Sequence, residues 1–224
     1  MARKPSVPED SIPPHRNHVF LSLNRFERKK NHALAIRALG THFTVVPSFT
    51  LKNSFLGVLQ SQLSEQFWDE VHLVIAGGYD LNLPENVAHF FELQRLVENL
   101  GLTSHVTLLR SPSEEAKVAL LMVSTALLYT PENEHFGIVP LEAMFCETPV
   151  IACNSGGPLE TVENEKSGFL VPSESNCFAE SMQFFLQKPS KKVEFGSSGH
   201  KRVIEKFSSN VFSEQLCLIC KELL

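Results

Sequence analysis

Short apolar runs divide most of the chain at regular intervals. Runs of strand type lie at His18–Leu23, Val71–Ala76, Val106–Leu109, Ala126–Tyr129 and Pro149–Cys153. The run at Val71–Ala76 is largely apolar and ends in two glycines, which is typical of a strand buried on both faces of a parallel sheet.

Stretches with helical spacing of apolar residues alternate with these runs. They predict helices over Lys30–Leu39, Pro84–Leu100, Ser113–Ser124, Pro140–Glu147, Asn176–Gln187, Ser190–Phe207 and Asn210–Leu224. Strands that alternate with helices of about ten residues or more form right-handed β-α-β crossovers. We therefore predict an α/β fold with a doubly wound, Rossmann-like parallel sheet.

The chain divides into a lead-in, a main domain and a terminal helix. Residues 1–15 contain four prolines and little that could be buried, which predicts a flexible segment. The main domain is expected over 16–207 and the terminal helix over 208–224. Within the main domain, 40–66 has no sustained period and is rich in Phe, Ser and Thr, so we expect an inserted segment there.

Charge and composition exclude several classes of protein. The chain has 20 Lys and Arg against 25 Asp and Glu, a net charge of -5, which is the wrong sign for a protein that neutralises nucleic-acid phosphates. We therefore expect no nucleic-acid partner, and any phosphate site must be local. No uncharged run reaches the roughly 20 apolar residues of a bilayer span. The first residues lack the apolar stretch of a secretory signal, so we expect the chain in the cytosol.

Cysteine and aspartate give little sign of a metal. The five cysteines predict reduced, buried thiols, and we interpret Cys217 and Cys220 as core packing of an apolar helix. Aspartate occurs only at Asp10, Asp69 and Asp80, so the pairs used by many Mg²⁺ sites are absent from the sequence. We expect no metal site.

Ligands of such a sheet bind at the carboxyl ends of its strands, so the loops after the strands are the places to search. The first strand is followed by four cations in six residues: Arg25, Arg28, Lys29 and Lys30. This loop is either a solvated turn or a phosphate clamp. Gly77 and Gly78 after the second strand form a tight turn or allow a ligand close to the backbone. No dinucleotide or P-loop glycine pattern accompanies them, which disfavours dehydrogenases and P-loop enzymes.

The strongest local pattern surrounds the predicted helix at Pro140. Glu134 lies before that helix, Gly137 and Ile138 supply free N–H groups at its start, and Glu142 lies about one turn inside. Carboxylates beside an anion site are suited to bind sugar hydroxyls. Glu142 is otherwise a surface helix residue, and we interpret His135 as a loop residue beside the ligand. A later pair, Gly156–Gly157, is a helix N-cap with turn glycines in the simplest interpretation.

Taken together, these residues resemble the carboxyl-terminal half of retaining GT-B glycosyltransferases of family 4. The spacing Glu134-x7-Glu142 is the motif typical of that family, and Phe136-Gly137 inside it makes the resemblance more specific. Arg25 with Lys30 is similar to the family's diphosphate-binding pair. The glycine pairs at 77–78 and 156–157 are similar to its glycine turns, and the match runs from about His18 to the end.

Within that family, the sequence at residues 23–31 and 132–144 is similar to that of the mannosyltransferases that add alpha-1,3 and alpha-1,6 mannose to dolichol-linked oligosaccharides. The resemblance implies a GDP-mannose donor, a dolichol-diphosphate-linked oligosaccharide acceptor and work on the cytosolic face of the endoplasmic reticulum. Membrane-associated glycosyltransferases are the protein partners it implies. It implies no cofactor besides the donor substrate, and no metal.

The resemblance also implies a role for each site residue. Glu134 would hold hydroxyls of the donor mannose, and Glu142 would bind the ribose hydroxyls. Backbone N–H groups of Phe136, Gly137 and Ile138 would meet sugar and phosphate. The diphosphate would lie against Arg25 and Lys30, with the Gly77–Gly78 turn beside it and the guanine near Arg110.

Family members have two Rossmann-like domains, and the acceptor binds in the first. These residues correspond to the second, so we expect the chain alone to bind GDP-mannose but to transfer mannose slowly or not at all. Two alternatives stay open: a family 4 transferase with another nucleotide-sugar donor, or a shortened, non-catalytic form that binds GDP-sugar or a partner.

Overall fold

A computed structural model describes residues 6–43 and 68–222. Its six strands form one parallel sheet: β1 His18–Leu23, β2 Val71–Gly77, β3 Val106–Arg110, β4 Ala126–Tyr129, β5 Val150–Cys153 and β6 Gly168–Val171. The strand order is β3-β2-β1-β4-β5-β6. This is the doubly wound, Rossmann-like arrangement that the alternation of strands and helices predicts.

Eight α-helices in the described residues cover the two faces of the sheet. They are α1 His32–Phe43, α2 Pro84–Asn99, α3 Glu114–Val123, α4 Ile138–Phe145, α5 Pro158–Thr161, α6 Ser175–Gln187, α7 Pro189–Phe207 and α8 Ser209–Glu222. A short 3-10 turn, Arg28–Lys30, precedes α1.

The strand order reverses beside β1. On one side β1 pairs with β2, from His18 opposite Val71 to Leu23 opposite Ala76, and on the other side it pairs with β4. The chain therefore leaves β1 and β4 in opposite directions, which opens a crevice at their carboxyl ends. The loops after these two strands carry most of the candidate residues.

Alternate residues of the strands build two apolar layers. Phe20 and Ile75 face one side, where α1 and α6 cover them. Leu21 and Val74 face the other side, where α3 and α4 cover them. Burial on both faces explains why the inner strands are apolar throughout rather than alternating.

Several element boundaries differ from the sequence prediction, mostly by one residue, and one strand was missed. The first helix starts at His32 rather than Lys30, because Asn31 adopts a left-handed conformation (φ 51°) after the 3-10 turn. Helix α4 starts at Ile138, two residues before Pro140. Strand β6 was not predicted, since its four residues give too short a pattern.

The prediction for the cysteines is partly wrong. All five are free and Cys153 is buried, but Cys217 and Cys220 are exposed on α8. That helix follows α7 at the surface and also exposes apolar side chains such as Phe212 and Ile219. Its apolar pattern therefore does not mark a buried element.

The structure describes the predicted lead-in and the predicted insertion to different extents. In the lead-in, Val7 and Ile12 pack against the sheet layer that α3 and α4 cover. The expected insertion over 40–66 falls mostly outside the described residues, apart from the end of α1. Among the helices of the described segments, none has the length and apolar character needed to cross a bilayer.

Candidate functional site

The loop after β1 is fixed to the end of β2 by its backbone. The N–H of Asn24 donates to Ala76 O and that of Phe26 to Gly78 O, both at 3.0 Å. A Cβ on Gly77 would lie 1.8 Å from Asn24 O, and the φ of this glycine is 153°. Gly77 is thus needed to let the two loops approach, whatever the ligand does.

The buried side chain of His32 fixes the same loop by hydrogen bonds. The ring nitrogens of His32 lie 3.2 Å from Ser22 Oγ and 3.1 Å from Arg25 O. Because a carbonyl only accepts, Nε2 carries the proton and Nδ1 accepts from the Ser22 hydroxyl. Burial lowers the pKa of His32 to about 4, so the ring is neutral near pH 7. His32 was not predicted as a site residue, because no motif surrounds it in the sequence.

The four cations of this loop have different environments. Arg25 Nη1 lies 2.7 Å from Glu27 Oε1, and Lys29 Nζ lies 3.2 Å from the other oxygen of the same, nearly buried carboxylate. Arg28 pairs with Glu92 of α2 at the surface. The solvated-turn interpretation therefore describes Arg28 and Lys29 well.

Lys30 is the buried member of the cluster and contacts Glu134, another of the predicted site residues. Its side chain is 10% exposed, and its Nζ forms a salt bridge with Glu134. Its carbonyl accepts a 2.7 Å hydrogen bond from Thr130 Oγ1 at the end of β4. The hydrogen bond from Lys30 lowers the pKa of the Glu134 carboxyl below its usual value, which keeps it ionised. Lys30 and Glu134, 104 residues apart, thus form one charged unit at the crevice.

The loop that carries Glu134 rests on the late glycine pair. Gly157 N donates to Glu134 O at 2.7 Å, and Asn133 N donates to Ser155 Oγ at 3.1 Å. A Cβ on Gly156 would lie 2.3 Å from Glu134 O, and one on Gly157 would lie 2.0 Å from the Phe136 carbonyl oxygen. Gly156 and Gly157 therefore form the surface on which the Glu134 loop packs, and we call this pair the glycine floor. The N-cap interpretation did not include this role.

Helix α4 starts directly after that loop. Gly137 is its N-cap, with φ 76°, and the N–H groups of Ile138 and Val139 in the first turn have no partner within the helix. Phe136 and Ile138 are exposed, so this helix end is open to solvent. Such an end offers hydrogen-bond donors and a positive dipole to an anion.

Glu142 is not a free surface residue. Its side chain is 30% exposed, and its Oε1 accepts a 3.0 Å hydrogen bond from Lys117 Nζ of α3. Lys117 also contacts Glu114 at 2.6 Å. Partial burial alone would lower the pKa of Lys117, but the hydrogen bonds to the two carboxylates raise it. All three side chains line a groove of about 360 Å³ between α3, α4 and α7.

Arg110 lies at the end of β3, as predicted, against aromatic rings. Its guanidinium carbon is 5.2 Å from the ring centres of both Tyr79 and Phe90. Ser111 Oγ bonds the backbone N–H and carbonyl of Tyr79 at 3.0 and 3.1 Å, which ties the loops after β2 and β3 together. Gly78 is exposed beside the Arg25 stem, since a Cβ there would lie 3.2 Å from Arg25 Cγ.

The predicted residues thus lie on loops that follow β1, β2, β3 and β4 and at the start of α4. Lys30 contacts Glu134 directly, whereas Glu142 pairs with Lys117, which the sequence analysis missed. No group of three potential metal-ligating side chains occurs within 6–43 and 68–222. The ligand roles of the individual residues stay predictions.

Comparison with known proteins agrees with this arrangement. The family model described as Glycosyl transferases group 1 matches residues 59–202. The alpha-1,3/1,6-mannosyltransferase ALG2 of Mus musculus is 46% identical over 212 residues, which is 95% of this chain and 47% of the relative. The Homo sapiens protein of the same name is 44% identical over the same shares of both chains. The chain therefore spans about half the length of these curated relatives.

Solved structures show the same fold at lower identity. Sucrose-phosphate synthase from Thermosynechococcus elongatus superposes with a TM-score of 0.74 at 24% identity, over 94% of this chain and 46% of that one. The C-terminal domain of the group 1 glycosyl transferase LpcC from Francisella tularensis has a TM-score of 0.66 at 17% identity, over 87% and 88% of the two chains. Fold, family-model match and relatives agree, and the chain belongs to the group 1 glycosyl transferases.

Proposed function

We propose that this chain is the donor-binding domain of a mannosyltransferase that takes mannose from GDP-mannose. The acceptor in this proposal is a dolichol-diphosphate-linked oligosaccharide, to which alpha-1,3 and alpha-1,6 mannose are added. The observation that carries it is the Lys30–Glu134 pair beside the open start of α4, at the point where the strand order reverses. The mannosyltransferase relatives at 44–46% identity support the choice of sugar.

The chemistry of the reaction fits these groups. Breaking the bond between the sugar C1 and the diphosphate oxygen leaves negative charge on the nucleotide. Fixed cations and free N–H groups at a helix start stabilise such charge without reorganisation. We assign this task to Lys30, which is largely shielded from water, and to the first turn of α4; Arg25 adds a solvent-exposed cation.

The two carboxylates have separate tasks in this proposal. Glu134 accepts hydrogen bonds from hydroxyls of the mannose, because it lies before α4 next to Lys30. Glu142 accepts hydrogen bonds from the ribose through Oε2, since Lys117 occupies only Oε1. In this proposal the guanine lies near Arg110, which packs against the rings of Tyr79 and Phe90. No divalent metal takes part in donor binding.

The setting of the enzyme is also part of the proposal. The chain works at the cytosolic face of the endoplasmic reticulum membrane, where dolichol-linked acceptors and other membrane-associated glycosyltransferases would be its partners. An alternative within the family is a UDP-sugar donor.

Calorimetric titration tests donor choice and metal dependence together. We expect GDP-mannose and GDP to bind in the presence of EDTA and UDP-glucose to bind much more weakly. Glu142→Gln should weaken GDP and GDP-mannose alike, whereas Glu134→Gln should mainly reduce the advantage of GDP-mannose over GDP. Tighter binding of UDP-glucose, or loss of GDP-mannose binding on adding EDTA, would contradict the proposal. Equal losses for both ligands in both variants would show that the assignment of the carboxylates is wrong.

A further inference from the structure

Tyr129 is a buried tyrosine whose hydroxyl reaches the candidate site. It is the last residue of β4, and its side chain is part of the apolar layer between the sheet and helices α3 and α4. The residue is only 2% exposed. A Cβ built on Gly137 would lie 2.6 Å from the tyrosine Oη and 3.0 Å from its Cζ. The hydroxyl is therefore in contact with the N-cap of α4.

Among residues 6–43 and 68–222 this hydroxyl makes no hydrogen bond, yet it is not one of the fully buried polar atoms that lack a partner. The hydroxyl therefore keeps contact with solvent, although the residue as a whole is almost entirely buried. A hydroxyl held at the N-cap of α4 by a packed ring is thus available to a ligand that binds there.

The surroundings of the hydroxyl indicate what that partner is. Burial and the nearby charge of Glu134 raise the pKa of Tyr129, so the phenol keeps its proton and can donate it. The Glu134 carboxylate is paired with Lys30, and the free groups at this end of α4 are donors, namely the N–H groups of Ile138 and Val139. A ligand rich in acceptor oxygens fits this set of donors, and a sugar diphosphate is such a ligand.

We propose that Tyr129 is a donor-binding residue whose hydroxyl donates a hydrogen bond to an oxygen of the sugar diphosphate of a nucleotide-sugar. This inference rests on the proposed function and adds a residue that neither the motif nor the charge pattern indicates. It also assigns Gly137 a steric role, since any side chain at 137 would collide with the ring that carries the hydroxyl.

The test is Tyr129→Phe, which removes one oxygen and keeps the shape of the core. The ligand-free Tm should stay the same or rise, because no protein hydrogen bond is lost. The affinity for GDP-mannose should fall about five- to tenfold, the usual effect of losing one hydrogen bond. An equal fall for GDP assigns the hydroxyl to the diphosphate, and a fall for GDP-mannose alone assigns it to the sugar; both support the inference.

Thr148→Val is the matched control. The Thr148 hydroxyl is buried and donates a 2.6 Å hydrogen bond to the carbonyl of Leu121, beyond the C-terminal end of α4, whereas Tyr129 contacts the N-cap of that helix. This variant should lose stability and keep its affinity for GDP and GDP-mannose. The two hydroxyl deletions should therefore have opposite effects on Tm and on binding.

The outcomes separate the inference from the proposed function. Unchanged affinity in Tyr129→Phe, or a fall in Tm like that of Thr148→Val, overturns the inference alone. Failure of the unaltered chain to bind GDP, UDP or GDP-mannose overturns the proposed function and the role of Tyr129 with it.

Discussion

Single charged side chains in the candidate site differ mainly in how far water screens them. Lys30 is 10% exposed and Arg25 is 63% exposed, although both follow β1 and both were assigned to the diphosphate. Charged hydrogen bonds are strong where water is excluded and weak at the surface. The two cations should therefore contribute unequally to nucleotide binding.

Lys30→Met should weaken GDP binding by about 1.5–3 kcal/mol, the value of a hydrogen bond to a charged group that is shielded from water. Arg25→Met should weaken it by less than about 1 kcal/mol, as for an exposed ion pair. Titration calorimetry at two salt concentrations measures both effects, and the smaller one should vanish at high salt. Arg28→Met is the control, because its partner Glu92 belongs to the surface of α2. A larger loss in Arg25→Met than in Lys30→Met would contradict this order.

The sequence predicted these cations but not their partners. A run of Arg and Lys is visible in any sequence, whereas the bonds that orient it come from Thr130 and Glu134, about a hundred residues away. His32 was missed for a related reason, since a lone histidine in a helical pattern carries no chemical signal until its buried contacts are known. Lys117 likewise gains its role only when α3 lies beside α4.

Helices and strands were easier to predict where a long period or a continuous apolar run was present. The inner strands and the long helix α2 followed the pattern closely, because burial of both sheet faces imposes it. Strand β6 was missed because four residues give no usable period. The opposite error occurred at α8, where apolar residues were taken as buried but lie at the surface.

The glycine floor beneath the Glu134 loop gives a prediction about how one element positions another. Gly157→Ala adds a methyl group 2.0 Å from the Phe136 carbonyl oxygen, although the backbone of Gly157 (φ -56°, ψ -35°) suits any residue. The loop must move, so we expect a loss of about 1–3 kcal/mol in the free energy of unfolding. GDP-mannose affinity should fall as well, because Glu134 moves with the loop. Chemical denaturation and calorimetry measure the two effects.

Gly40→Ala is the matched control for that substitution. A Cβ on Gly40 would meet Leu100 and Leu102 at 3.5 Å, which is ordinary contact, and the residue lies inside α1. Alanine there should be neutral or stabilise the chain by roughly 0.5–1 kcal/mol, and nucleotide binding should not change. Equal stability of both variants would show that the loop does not depend on the glycine floor.

The stability of the entire chain should depend on pH through two buried histidines. His32 lies inside the β1 loop, and His72 lies in β2 with Nε2 bonded to Thr107 Oγ1 at 2.9 Å. Burial lowers the pKa of each to about 4, against 6.5 for an exposed ring. Below pH 6.5 the unfolded chain takes up protons at both rings, while the folded chain does not do so until about pH 4. The free energy of unfolding that depends on keeping the two buried rings neutral is therefore at its maximum above pH 6.5, and it is lost as the pH falls towards 4.

Urea unfolding at pH 7 and pH 5 should show this loss. One pKa unit corresponds to about 1.4 kcal/mol, so each histidine should lower the free energy of unfolding by about 2 kcal/mol over this interval. NMR signals of the His32 and His72 rings should keep their neutral positions in the folded chain at pH 5. Equal stability at the two pH values, or protonation of both rings near pH 6.5 without unfolding, would contradict the burial of these side chains. Because His32 donates to the Arg25 carbonyl through its only ring N–H, its protonation would also put a donor against the Ser22 hydroxyl in place of an acceptor. The folded chain protonates this ring only near pH 4, so nucleotide binding by the folded chain should hold at pH 5 and decline near pH 4, below the range in which stability begins to fall.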